Sequence, residues 1–134
     1  MNKELFAQIR ALALPVGQYA IFGSGPMGIR DLKECSDIDI IVSESLWGIF
    51  KNSPGWNLKV SSSGGEYLSK DDIEIWKDWK PWYRDVMPLI KEAEMINGLA
   101  FVRLERVIEW KRIFGREKDL KDVQAINKYL ERGQ

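Results

Sequence analysis

Apolar residues along this chain follow two alternating rhythms, one helical and one extended. Leu5, Phe6, Ile9 and Leu12 recur at helical spacing after Asn2, a residue able to cap a helix, and Pro15 with Gly17 closes the segment. Tyr19 to Phe22 reads as a short buried strand. Gly23 to Gly25 make a tight turn, and Pro26 suits the first position of a brief helix carrying Ile29 and Leu32 inward. The run Ile38 to Val42 predicts a second strand. Ser45 stands where it can cap a helix bearing Leu46, Trp47, Ile49 and Phe50, ended by Asn52-Ser53-Pro54-Gly55. Further strands are expected at 57–61, 66–69 and 73–76.

From Pro81 to Glu92 the period is helical, but Pro88 predicts a break or a restart. Ala93 to Ile96 and Leu99 to Val102 flank Asn97-Gly98, a strong signal for a β-hairpin. Helices over Leu104 to Phe114 and Lys118 to Leu130 close the chain, with Gly115 in the C-terminal position between them. The order predicts an α/β class of the α+β kind, with helices packed on a mixed, twisted sheet and two C-terminal helices. A length of 134 residues, 45% of them apolar, suits one domain over residues 1–134.

Charge and composition narrow the chemistry. Lys plus Arg and Asp plus Glu number 20 each, so no overall positive field exists to hold a nucleic-acid backbone non-specifically, although a local basic patch stays open. No apolar run approaches a membrane span, and polar groups interrupt the N-terminal segment, so a cytoplasmic protein away from membranes is expected. Histidine is absent, which excludes serine-histidine and cysteine-histidine catalysis, and the single Cys35 makes neither an internal disulfide nor a zinc site. Carboxylates must carry any catalysis. Grouped carboxylate oxygens suit hard cations, magnesium above all where the substrate brings phosphates.

Gly23, Gly25 and Gly28 form a literal G-x-G-x-x-G after a strand, the pattern of a dinucleotide fingerprint. That fold requires a full helix of roughly a dozen residues and then one acid at the end of a buried strand. Only eight residues separate Gly28 from Asp37 here, and the next strand opens with two acids, Asp37 and Asp39, which alternation places on one face. Like charges side by side repel and lose hydration, so they call for a cation or donors between them. Dinucleotide binding is therefore disfavoured and a metal site is expected.

Phe22-Gly23-Ser24, a spacer of twelve residues and Asp37-Ile38-Asp39-Ile40 together resemble the DNA polymerase beta-like nucleotidyltransferase superfamily, in its small, minimal or antitoxin-type bacterial form. The resemblance implies a third acid on a neighbouring strand, for which Ile73-Glu74-Ile75 is the match and Asp72 a competitor. Lys111, Gly115-Arg116, Lys118-Asp119 and Asp122 are similar to the helical tail of many small members. The stretch Gly25-Pro26-Met27-Gly28 departs from relatives that carry a bulkier, arginine-containing turn.

The implied activity moves a nucleoside monophosphate from a nucleoside triphosphate to a hydroxyl of a small molecule or a protein. The implied cofactor is a pair of magnesium ions about 3.5 to 4 Å apart, with manganese as substitute, held by Asp37, Asp39 and Glu74. Gly23, Ser24 and Gly25 would cradle the triphosphate, Ser24 giving its hydroxyl to a phosphate oxygen, and the resemblance adds Lys111 as a phosphate contact. Arg30, Lys33, Arg116 and Lys118 read as solvated charges, and Trp76, Trp79 and Trp82 as core or interface aromatics without a site role. The alternative is a non-catalytic antitoxin-like or regulatory module that contacts a toxin-like protein partner.

Overall fold

The computed structural model describes residues 2–133, and its elements follow the hydrophobic rhythm closely. Helix α1 (Lys3–Ala11) precedes strand β1 (Tyr19–Phe22), a single-turn helix α2 (Gly25–Gly28) and strand β2 (Ile38–Val42). Helix α3 (Glu44–Lys51) leads to β3 (Asn57–Val60), β4 (Glu66–Lys70) and β5 (Ile73–Trp76). A short helix α4 (Met87–Lys91), the hairpin β6 (Glu94–Ile96) and β7 (Leu99–Phe101), and helices α5 (Leu104–Phe114) and α6 (Glu117–Arg132) complete the chain.

All strands join one seven-stranded sheet in the order β3-β4-β5-β2-β1-β7-β6. Its centre is mixed: β2 runs antiparallel to β1 but parallel to β5, and β1 runs parallel to β7. Buried on both faces, β1 and β2 consist almost wholly of apolar residues, with Asp39 as the exception. On one face Ile21, Ile38, Ile40, Ile75 and Phe101 pack with Phe6 and Ile9 of α1 and Leu46, Trp47 and Phe50 of α3. On the other, Ala20, Phe22, Ile41 and Val102 pack with Leu89 and Ile90 of α4, Val107 and Trp110 of α5 and Ile126 of α6. This is the α+β arrangement expected, two C-terminal helices included. Among the described residues no helix is long and apolar enough to cross a membrane.

Four local expectations are corrected. The cap of α3 is Ser43, whose hydroxyl accepts from the Leu46 amide at 3.2 Å, rather than Ser45, which is exposed inside the helix. Ile49, expected on the inner face of that helix, is 62% exposed. Asn2 does not cap α1; its side chain donates to the carbonyls of Gly28 and Lys33 and accepts from the Cys35 amide, tying the N-terminus to the connection before β2. The stretch from Pro81 forms a helix only over Met87–Lys91, where Pro88 sits in the first turn and lacks nothing the helix needs. Ahead of it Trp79 and Tyr83 exchange two backbone hydrogen bonds and turn their rings into the aromatic core. The hairpin turn is as expected, with φ of 51° at Asn97 and 81° at Gly98, both in the left-handed region that a type I′ turn requires.

Candidate active site

Asp39 is the acid on the central strand β2, and its surroundings define the site. It pairs in register with Glu74 on the parallel strand β5, while Phe22, the last residue of β1, stands on its other side. The chain leaves Phe22 through Gly23, whose φ is +59°, so the Gly23-Ser24 bend lies directly against the acid. A Cβ on Gly23 would come within 2.3 Å of Asp39 Oδ2. Glycine is thus required twice there, for its backbone angle and for the carboxylate beside it. The other oxygen, Oδ1, accepts a hydrogen bond of 3.1 Å from the indole Nε1 of Trp76.

Electrostatics reflect this crowding. Burial pushes the Asp39 carboxyl well above the usual carboxylate range, the adjoining Glu74 carboxyl and the charge of Asp37 push it further, and the Trp76 bond opposes them. Asp37 stands in the bend just before β2, half-buried like Asp39 and Glu74. Tyr67 of β4 lies in register with Trp76 and stacks on it at 4.5 Å with the rings 17° apart. Its hydroxyl is raised by desolvation and by the nearby charges of Glu74, Asp39 and Asp37. The acids therefore share one neighbourhood, although among the described residues no three such side chains close on one point as a finished cation cage.

The expected phosphate ligands are placed differently from one another. Ser24 is half-buried at the start of α2, and its backbone carbonyl accepts from the Cys35 thiol at 3.5 Å. A Cβ on Gly25 would lie 2.2 Å from Ile21 Cγ2, and one on Gly28 2.5 Å from Cys35 Sγ, so the space of each missing side chain is filled by the chain's own residues. Lys111, expected at the phosphates, is instead 4% exposed and held between α5 and α6, 2.9 Å from Asp122 Oδ2 and 3.6 Å from Asp119 Oδ1.

The tail motif has a structural explanation in the same place. Gly115 ends α5 with φ of 71°, and at the start of α6 the Asp119 carboxylate accepts from the Arg116 backbone amide at 3.2 Å and from its guanidinium at 2.6 Å and 3.1 Å. Lys33, expected as a solvated charge, reaches Asp122 at 2.7 Å and so ties this cluster to the chain entering β2. Burial works against ionisation of Asp119 and Asp122, but the bonded cations prevail and hold both carboxyls below their usual range.

Two residues next to the acids carried no expected role, Trp76 and Tyr67. Trp76 was visible in principle: it follows Glu74 by two positions on one strand and so shares its face. Tyr67 becomes visible only through the pairing of β4 with β5. No family model matches this chain, and no characterised protein or solved structure matches it either.

Proposed function

We propose that this chain is a magnesium-dependent nucleotidyltransferase that transfers a nucleoside monophosphate from a nucleoside triphosphate to a hydroxyl acceptor. The observation that carries this reading is the pairing of Asp39 with Glu74 on parallel strands, hard against the Gly23-Ser24 bend, with the charge of Asp37 acting on the same point. A fold gains nothing in stability from confining like charges in this way, so the arrangement fits a site that is completed by a divalent cation.

The donor set suits magnesium by type, being oxygen from carboxylates alone. Asp37 and Asp39 would hold it, with Glu74 alongside, and the nucleotide's phosphate oxygens would supply the remaining ligands. When bound, the metal neutralises charge that develops on the phosphate oxygens during in-line displacement. Ser24 would orient the triphosphate through its hydroxyl. The acceptor oxygen bonds to the α-phosphorus as the bond to the pyrophosphate oxygen breaks, and Glu74 takes the acceptor proton. Lys111 belongs to the helix-helix ion pairs in this scheme and not to the phosphates.

A second reading, a partner-binding module, is favoured by the apolar residues at the corner of α5 and α6, where Ile113 is 66% and Leu120 47% exposed. Incubation with α-labelled nucleoside triphosphates and a panel of hydroxyl acceptors separates the two. Catalysis requires magnesium-dependent transfer of label that is lost in Asp37→Asn/Asp39→Asn. Label transfer indifferent to the metal and to both substitutions would leave only the binding module.

A further inference from the structure

We infer that Trp76 is a positioning residue for the acid site, its indole N–H setting the orientation in which Asp39 meets a divalent cation. The inference rests on the proposed reading of the acids as a cation site. The carboxylate of Asp39 is clamped from two sides, by the indole Nε1 on Oδ1 at 3.1 Å and by the backbone of Gly23 on Oδ2, where even a methyl group would not fit. Neither group can move easily. Trp76 lies diagonally across the strand pair from Asp39, two residues beyond Glu74 on the same face, a separation that only a large side chain spans. Tyr67 stacks on the indole at 4.5 Å, and Trp79 meets it edge-on at 5.2 Å.

The use of the donor is selective. Trp79 and Trp110, in the same aromatic cluster, bury indole N–H groups that find no partner among the described residues, whereas the Trp76 donor is directed at a carboxylate oxygen. An apolar packing role alone would not require that direction. The hydrogen bond to one oxygen restrains the carboxylate beside Glu74, its in-register neighbour on β5. Partners of this kind, which hold a ligand without touching the metal, commonly change metal affinity or activity by about 10- to 100-fold.

Two measurements test this. In a 15N-indole spectrum of the full chain, the Trp76 signal, assigned by its absence from Trp76→Phe, should shift on titration with magnesium and should not shift in Asp39→Asn. Trp76→Phe keeps a ring for Tyr67 and Trp79 but removes the donor; it should weaken manganese binding, followed by paramagnetic resonance, by about 10-fold or more. It should also lower kcat with the KM for nucleoside triphosphate unchanged within about twofold. An unmoved Trp76 signal in the wild type, or unchanged manganese affinity in a folded Trp76→Phe, overturns the inference. A shifted signal without nucleotidyl transfer would instead retain Trp76 as the positioning group of a cation site and defeat the transferase reading.

Discussion

At Gly23 a backbone demand and a side-chain demand fall on the same residue, and the two can be separated by mutation. Gly17 has φ of +91° with nothing near its missing Cβ, whereas Gly23 has φ of +59° with the Asp39 carboxylate 2.3 Å away. Gly17→Ala should cost about 1 kcal/mol from the left-handed backbone alone. Gly23→Ala should cost about 3 kcal/mol, because the new methyl group must also displace the acid. Urea unfolding of both variants checks the difference, and equal losses would mean that Asp39 is not packed on the bend. Asp39 itself should weaken the fold. A carboxyl raised in the native state binds its proton better folded than unfolded, so its ionisation removes stability as pH rises above the ordinary value of 3.8. Asp39→Asn should therefore raise the thermal midpoint at pH 7 to 8 and give no advantage below about pH 3.8, with melting curves across that range as the check. Asp37 stands in the bend before β2, where strand alternation does not apply, but that Asp39 lies on a buried strand was legible in the sequence. The clamp was not, because the contact between Asp39 and Trp76 depends on β2 pairing with β5, across a sequence gap that no local period spans.

Among the elements, α5 and α6 depend on the ion-pair cluster of buried Lys111 and Asp119 with Asp122, Lys33 and the exposed Arg116. Lys111→Met should destabilise the chain by about 3 kcal/mol, since it removes the cation from carboxylates that are largely buried. Both carboxyls are held below their usual range, so their contribution is complete above pH 3.8 and is lost as pH falls through their lowered native values. Acid unfolding of the wild type should accordingly steepen below pH 3.8, and Lys111→Met should show a shallower acid limb. An unchanged acid limb would show that Lys111 does not hold these groups ionised. Helices with a clear apolar stripe and a glycine stop, α5 and α6, were legible from the sequence to within a residue or two. The stretch after Pro81 was not, because its aromatic residues mimic helical spacing while serving a turn that points Trp79 and Tyr83 into the core. The tail motif was legible as a pattern, but whether Lys111 faces a ligand or a neighbouring helix depends on how α6 folds back, which spacing alone does not determine.

Across the whole molecule, α4, α5 and α6 cover one face of the sheet over β1, β2 and β7, and their aromatic layer reaches Trp76. Beyond it β3 is exposed along its whole length, and the acids of β2 and β5 lie where the covered part of this face gives way to the open part. The mixed sheet and its helical layers follow from the order of strands and helices in the sequence, but the position of the boundary does not, because it is set by which strands the last two helices cover. In the proposed function these acids gather a divalent cation together with a nucleoside triphosphate. Its most direct test is a paramagnetic titration of manganese into the wild type and into Asp37→Asn/Asp39→Asn, with and without a non-hydrolysable triphosphate. The wild type should bind manganese more tightly when the nucleotide is present, and the double variant should lose at least tenfold in affinity in both conditions. Equal affinities in the two proteins would contradict the account.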